Sequence, residues 1–120
     1  MICHLNQPAQ ALDINVIELT GHVVNTPEMK LSAKGYQTAS FCLAVRNEWV
    51  DLEGKKYDSA DFFRIIAHGE LAKSAFIMLT KGTELQIQGQ LVNRNYEGKN
   101  QIMYYVTEIH AKNITLTELK

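Results

Sequence analysis

"GELAKSAFIMLTKGTELQIQGQLVNRN", residues 69–95, combines two hydrophobic periods in one short stretch. The first half predicts a helix, because apolar residues recur there at helical spacing: Leu71, Ala75, Met78 and Leu79. Lys81 and Gly82 predict the helix end, as a basic last turn and a glycine C-cap. The second half alternates with a period of two and predicts a β-strand with one apolar face: Leu85, Ile87, Gly89 and Leu91.

Short strand-like runs separated by turn signals make up most of the remaining chain. Before the helix they are residues 15–24, residues 29–45 with an internal Lys34–Gly35 turn, and residues 60–68. Beyond a hairpin loop at 96–101 comes a long last strand, which we expect to be bent or bulged. We therefore predict an all-β fold: a five-stranded Greek-key OB-fold barrel with one α-helix between the third and fourth strands.

The totals indicate an ordinary globular protein of 120 residues, with 46% hydrophobic and 21% charged residues. Residues 1–14 show no clear period and predict a flexible or loosely docked arm, ahead of a domain at 15–120. Cys3 and Cys42 form no recognisable motif, so we interpret them as reduced thiols. With no signal peptide or membrane-spanning run, we expect a cytoplasmic location and no membrane partner.

Motifs of enzyme chemistry are missing from the sequence. The four histidines form no cluster at metal-ligand spacing, and no phosphate-binding or dinucleotide glycine pattern occurs. Asp58 and Asp61 are better explained by a solvated loop than by a catalytic dyad. We therefore expect no catalytic residues, no metal and no cofactor.

A set of large or π-bearing residues lies at strand ends or beside loops: Trp49, Phe62, His68 and Tyr96. Basic residues are interleaved with this set: Arg46, Arg64, Arg94, Lys55, Lys56 and Lys99. Single-stranded nucleic acid is bound by such a pairing, in which bases stack on aromatic faces and cations follow the phosphates. Alternation places Phe62, Arg64 and His68 on one strand face, although Phe62 is as readily a core residue. Trp49, beside a polar glycine-bearing loop, is the best candidate for a base contact.

The net charge of −1 and the pI of about 6.4 give this interpretation no support, because nucleic-acid-binding domains are usually basic. An OB module that binds proteins or oligosaccharides, without nucleic acid, is therefore the alternative from another class.

Residues from about Asn15 to Leu119 resemble the bacterial and mitochondrial single-stranded DNA-binding protein family. The motifs that carry the resemblance follow in order: "VIELTGHVVNTPEMK", "SFCLAVRNEW", "DFFRIIAHGELA", "LTKGTELQIQGQLVNRNY" and "YVTEI". The resemblance implies an OB-fold homotetramer that wraps single-stranded DNA without strong sequence preference. It also implies base stacking by Trp49, Phe62, His68 and Tyr96.

The resemblance further implies phosphate contacts and subunit interfaces. Residues that match the family's basic positions are Lys30, Arg46, Arg64 and Arg94. Residues that match its oligomer interfaces are Val16, Ile17, Glu18, Leu19, Phe63, Glu84, Gln86, Gln88 and Gln90. From the sequence alone, a solvated sheet face explains the polar row at 84–90 equally well.

Several departures from the family pattern modify these expectations. Phe62 and Tyr96 stand where tryptophan is common, and His68 stands where phenylalanine is common, so we expect weaker stacking. Val92 stands where a basic residue is frequent. The acidic, Phe-ended C-terminal tail of bacterial members has no counterpart, so recruitment of replication and repair proteins through a tail is doubtful. A dimeric, tail-less primosome-type relative that bridges replication proteins is the near alternative.

Overall fold

The computed structural model describes residues 13–117, so most of the expected N-terminal arm lies outside the described residues. The described part contains six strands and one helix. They are β1 (Ile17–Val23), β2 (Glu28–Leu31), β3 (Gln37–Val50), β4 (Lys56–His68), α1 (Gly69–Met78), β5 (Glu84–Glu97) and β6 (Met103–Leu116). No described helix has the length and apolarity needed to span a membrane.

Five of the strands close into a barrel. The sheet order is β1-β5-β6-β4-β3-β2, and β1 also pairs with β3. All pairings are antiparallel except β4 with β6, which run parallel. The short β2 adds only to the edge of β3 through the Lys34–Gly35 turn, so it is not one of the five barrel strands. The prediction of an OB-fold barrel, with its helix between the third and fourth barrel strands, is confirmed.

Alternation along the strands fills the barrel interior. Phe41 and Leu43 of β3 are buried, as their predicted face requires, and Val45 packs against the same cluster. The other fully buried large side chains come from neighbouring strands: Val23, Ile65, Leu85, Ile87 and Ile109. Each of these buried aliphatic side chains contributes about 1.5–3 kcal/mol to stability. The opposite faces of β3, β4, β5 and β6 are thereby left to point outward.

Two glycines allow strands to approach closely. A Cβ atom at Gly21 would lie 2.2 Å from the carbonyl oxygen of Ala44, where β1 crosses from β5 to β3. A Cβ at Gly89 would lie 2.2 Å from the carbonyl oxygen of His110. The register of β5 with β6 shifts between Gln88 and Gly89, so the predicted irregularity of the last strand is confirmed.

Helix α1 is shorter than the sequence predicts. It ends at Met78, and Leu79 has an extended conformation that buries its side chain against the barrel. Gly82 is therefore not the C-cap, since it lies in the connection to β5 and donates its N–H to the carbonyl of Val23. Met78 is exposed, because the buried helical positions are Ala72 and Ala75.

The polar stretch after Val45 is also not a long loop. β3 continues to Val50 and β4 begins at Lys56, which leaves a tight turn at 51–55. The two strands pair without interruption from Thr38–His68 to Val50–Lys56. A ribbon that extends beyond the barrel has no core face, so its sequence lacks the alternation by which a strand is predicted.

Candidate nucleic-acid interface

A groove crosses the outer face of β2, β3, β4, β6 and β5. Polar, basic and apolar side chains line it: Lys30, Thr38, Ser40, Arg64, Ile66, His68, Arg94, Glu108 and His110. The β4 contribution follows the predicted alternation, because the even-numbered residues of this strand point outward while Phe63, Ile65 and Ala67 point toward the core. Arg64 and His68 therefore share this face, as the sequence predicts.

Phe62 belongs to the same outer face. Its side chain is 63% exposed, whereas the neighbouring Phe63 packs against the core cluster. The sequence leaves open whether Phe62 is a core or a surface residue, and the structure places it at the surface. It lies with Cys42 and Arg64 along a second shallow cleft that continues the groove toward β3.

Glu108 occupies the centre of the groove and binds both arginines. Its carboxylate accepts hydrogen bonds from Arg64 Nε (3.2 Å), Arg94 Nε (3.3 Å) and Arg94 Nη2 (3.0 Å). The hydrogen bond from Arg94 is the main reason that the pKa of Glu108 lies below its ordinary value. The same contact raises the pKa of Arg94. The cluster therefore holds two cations and one carboxylate, a net charge of +1.

Beside this cluster, two histidine rings continue a polar chain along the groove. His68 Nε2 lies 3.1 Å from His110 Nδ1, and His68 Nδ1 lies 3.5 Å from the hydroxyl of Thr38. A neutral His68 protonated at Nε2 donates to His110 Nδ1, whereas the buried His110 Nε2 has no hydrogen-bond partner among the described residues and lies 3.6 Å from Glu108 Oε1. Burial, and then repulsion by His110, lower the pKa of His68, which favours the neutral ring.

Tyr36 extends the aromatic surface of the groove. Its ring stacks on His68 with a centroid distance of 5.7 Å and an interplanar angle of 27°. Tyr36 is half-exposed and follows the glycine turn between β2 and β3. His68 and Tyr36 therefore present two adjoining rings at this end of the groove.

Tyr96 lies at the end of β5 and stacks on Tyr104 of β6. The ring centroids are 5.4 Å apart and the rings are inclined by 22°. The Arg94 guanidinium carbon lies 5.6 Å from the Tyr96 centroid, so the cation also covers this ring. Arg94 and Tyr96 are two residues apart on one strand and therefore face the same side. The predicted Tyr96 site is continuous with the groove.

Trp49 stacks on Tyr57, its direct partner across the β3–β4 ribbon. The centroids are 5.4 Å apart and the rings are inclined by 14°. The odd-numbered positions of β3 point to the core side, so Trp49 lies on the opposite face of the ribbon from Phe62 and Arg64. The indole is 49% exposed. The predicted aromatic set is thus divided between two faces, and one side of the indole already has a protein partner.

The other predicted basic residues are exposed at the rims of these surfaces. Arg46 lies on the outer face of β3, opposite Ala60. Lys55 lies in the β3–β4 turn with its ammonium 5.3 Å from the Tyr57 ring centroid. Lys56 begins β4, and Lys99 lies in the β5–β6 turn. Lys30 lines the groove itself.

The residues expected at oligomer interfaces are not among those that line the groove. Val16 is exposed and precedes β1, while Glu18 lies beside Gln86 and Gln88 in a shallow polar cleft. Gln88 accepts a hydrogen bond from Asn113 at 3.3 Å. Of the remaining residues, Ile17, Leu19 and Phe63 pack partly against the core, whereas Glu84 and Gln90 lie half-buried on β5.

Sequence reasoning missed several residues of these surfaces: Tyr36, Tyr57, Tyr104, Glu108 and His110. Tyr57 and Tyr104 become recognisable only when the hairpin register pairs them with Trp49 and Tyr96. Glu108 is brought to Arg64 by the parallel pairing of β4 with β6, for which the sequence gives no local signal. Within residues 13–117, no three His, Cys, Asp or Glu side chains are placed to hold a metal ion.

Comparison with known proteins agrees with this architecture. The model of the Single-strand binding protein family matches residues 14–117. Single-stranded DNA-binding protein 1 of Staphylococcus aureus (strain MSSA476) is 35% identical over 107 residues, which cover 89% of this chain and 67% of that protein. Single-stranded DNA-binding protein 3 of Listeria innocua is 31% identical, with 89% and 66% covered.

Among solved structures, a Plasmodium falciparum SSB in complex with ssDNA superposes with a TM-score of 0.83. It is 24% identical, and the match covers 92% of this chain and 100% of that one. This likeness supports the fold. The family match over nearly all described residues and the similarity to the Staphylococcus aureus protein together show that the chain belongs to the Single-strand binding protein family.

Proposed function

We propose that the protein binds single-stranded DNA without strong sequence preference, by stacking bases on aromatic rings and by pairing phosphates with arginine and lysine. Membership of the Single-strand binding protein family supports the ligand class. The observation that carries the proposal is the groove, where Arg64 and Arg94 converge beside His68 and lead to the stacked tyrosines on β5 and β6.

The net charge of −1 does not oppose this function, because the charges are unevenly placed. The groove gathers Lys30, Arg64 and Arg94 around a single carboxylate. Phosphates that approach this face therefore meet a local excess of positive charge. Displaced counterions contribute to such binding, so the logarithm of affinity falls linearly with the logarithm of salt concentration. Each phosphate contact on a single strand adds about 0.7 to the steepness of this slope.

The division of the aromatic residues between two faces of the ribbon supports a wrapped path for the single-stranded DNA. Phe62 and Trp49 lie on opposite faces of the β3–β4 ribbon. A single strand that contacts both must pass around this ribbon instead of lying straight along the groove. We therefore propose that DNA wraps around the β3–β4 hairpin, with bases on the exposed side of the Trp49 indole.

Further aspects of the proposal rest on the family alone. They are a non-catalytic coating role in DNA replication, recombination or repair, assembly into a homotetramer through β1 and the polar row of β5, and a cytoplasmic location. Weaker stacking than in typical members is also proposed, because Phe62 and Tyr96 replace tryptophan and His68 replaces phenylalanine, in each case with a smaller ring.

Titration of oligo-dT of increasing length, at low and moderate salt, tests the proposal. The chain has one tryptophan, so emission reports on Trp49 directly. We expect saturable quenching that weakens with salt and tightens with oligonucleotide length. Anisotropy of a labelled oligonucleotide provides the second readout: binding without quenching would contradict the wrapped path, and no binding by either method would reject the function.

Arg64→Ala serves as the companion variant. We expect it to reduce the salt slope by about 0.7, the value of one phosphate contact. A slope equal to that of the parent protein would place Arg64 away from the phosphates.

A further inference from the structure

Glu108 is an acidic residue at the centre of a surface proposed to bind a polyanion. Its side chain is only 4% exposed, whereas those of Arg64 and Arg94 are 52% and 50% exposed. The three residues come from adjacent strands, because β6 lies between β4 and β5 in the sheet. One buried carboxylate therefore binds an arginine on each side of it.

The contacts leave part of each guanidinium unused. Arg64 donates to Glu108 through Nε, and Arg94 donates through Nε and Nη2. A guanidinium has five N–H donors in a fixed plane, so each arginine retains donors directed away from the carboxylate. Each side chain is also about half exposed, so we infer that these donors are open to solvent. Because both guanidinium groups are bonded to the same carboxylate, their separation is restricted.

Two opposite consequences follow from a carboxylate at this place. Its negative charge opposes phosphate binding. Its hydrogen bonds, however, restrict two long side chains that would otherwise lose rotamer freedom when DNA binds, and such ordering weakens association. Burial favours the second effect, because Glu108 lies beneath the arginines and the phosphate would bind on their outer side.

We propose that Glu108 is a positioning residue for single-stranded DNA binding, which orients Arg64 and Arg94 as a pair of phosphate-binding forks and stays bonded to them when DNA binds. This inference rests on the proposed function. It differs from a competition model, in which phosphate displaces Glu108 from the arginines. The two models predict opposite signs when the carboxylate is neutralised.

The test compares oligo-dT binding by the parent protein, Glu108→Gln and Glu97→Gln. Glu97→Gln is the matched control, because it removes one negative charge from the exposed, opposite face of the same hairpin. We expect Glu108→Gln to weaken binding about fivefold, as ordering of one or two freed arginine side chains predicts, with Glu97→Gln unchanged within about twofold. Equal or tighter binding by Glu108→Gln would overturn the proposal.

A measurement on the parent protein removes dependence on the folding of the variant. In NMR spectra, the Nε–H signals of Arg64 and Arg94 should be protected from exchange before DNA is added and should stay protected in the complex. Loss of this protection on binding would favour displacement and reject positioning. If the parent protein does not bind oligo-dT, the proposed function itself is rejected. If the parent binds and Glu108→Gln binds equally well or more tightly, only the positioning role is rejected.

Discussion

The β3–β4 and β5–β6 hairpins repeat one construction with different outcomes. Each has a stacked aromatic pair two residues from a five-residue turn: Trp49 with Tyr57 around 51–55, and Tyr96 with Tyr104 around 98–102. Both turns contain the same two backbone hydrogen bonds. The N–H of the first residue donates to the carbonyl of the fifth residue, and the N–H of the fourth residue donates to the carbonyl of the first. The two hairpin tips therefore differ mainly in which face of the ribbon carries the aromatic pair and in which residues form the turn.

The face that carries each aromatic pair follows from the number of positions between a buried core residue and the aromatic residue on the same strand. On β3, six positions separate the buried Leu43 from Trp49, so both point to the same side. On β6, five positions separate the buried Ile109 from Tyr104, so this ring points to the groove side. An even separation on β3 and an odd separation on β6 thus decide which face receives the aromatic pair.

The largest effect on DNA binding is expected from Trp49→Ala. Loss of one stacked base should weaken binding by about 1–3 kcal/mol, while the fold stays intact because the indole is half-exposed beyond the barrel. Anisotropy of a labelled oligo-dT measures the affinity, since the fluorophore is lost in this variant. Tyr57→Phe is the control, because it keeps the supporting ring. An affinity equal to that of the parent would remove the β3–β4 tip from the binding surface.

A smaller effect is expected from the equivalent change on the other hairpin, Tyr96→Ala. We expect a loss of about 1 kcal/mol, the low end for one stacked base, because the phenol ring is smaller than an indole and Tyr104 remains. Combining Tyr96→Ala with Trp49→Ala in a double-mutant cycle sharpens the comparison. Additive losses would mean that the two hairpins hold separate bases. Strong coupling would contradict the assignment of the pairs to different faces.

The second difference lies at the fourth position of each turn, where the backbone is left-handed. Gly54 occupies it in one hairpin (φ 84°), whereas Gln101 occupies it in the other (φ 64°). An L-residue in this conformation costs roughly 1–2 kcal/mol, which the greater freedom of glycine in the unfolded chain partly offsets, by about 0.4–1 kcal/mol. Gln101→Gly should therefore raise the free energy of unfolding by about 0.5–1 kcal/mol in urea denaturation.

Gly54→Ala is the reciprocal variant and should lower stability by a similar amount. A Cβ at Gly54 would contact nothing within 4 Å, so the effect is one of backbone conformation alone. If Gln101→Gly leaves the unfolding free energy unchanged, the two turns are energetically equivalent despite their different residues. DNA affinity should stay constant in both variants.

The parts that the sequence predicted are those with local periodicity. The apolar faces of β3 and β5 and the shared face of Phe62, Arg64 and His68 follow from alternation within a single strand. The predicted end of α1 was wrong, because Leu79 is extended but is buried as a core-facing helical residue would be. The ribbon at 46–59 was missed because solvated strands resemble loops in composition. The bonds from Glu108 to its two arginines depend on the non-local β4–β6 register.

The smallest effect concerns the side chains that accept backbone hydrogen bonds within the two turns, and their response to pH. In the β3–β4 turn, the Asp51 carboxylate accepts hydrogen bonds from the backbone N–H groups of Glu53 and Lys55, each at 2.9 Å. The bond from Lys55 is the main cause that lowers the pKa of Asp51 below 3.8. The β5–β6 turn uses a neutral acceptor instead, the Asn100 amide oxygen, which receives the N–H of Ile102.

Because the pKa of Asp51 is lower in the folded state than in the unfolded state, its stabilising contribution is present above pH 3.8 and is lost as pH falls through the folded value. Acidification should therefore loosen the β3–β4 turn without acting on its counterpart. In NMR titrations we expect the Glu53 and Lys55 amide signals to shift with an apparent pKa below 3.8, while the Ile102 signal stays in place. Asp51→Asn should abolish the shift, since an amide oxygen still accepts but does not ionise in this range. A parallel shift of Ile102 would mean that acid acts on the whole barrel, through Glu108 or His68, and that the two turns do not differ in their response to pH.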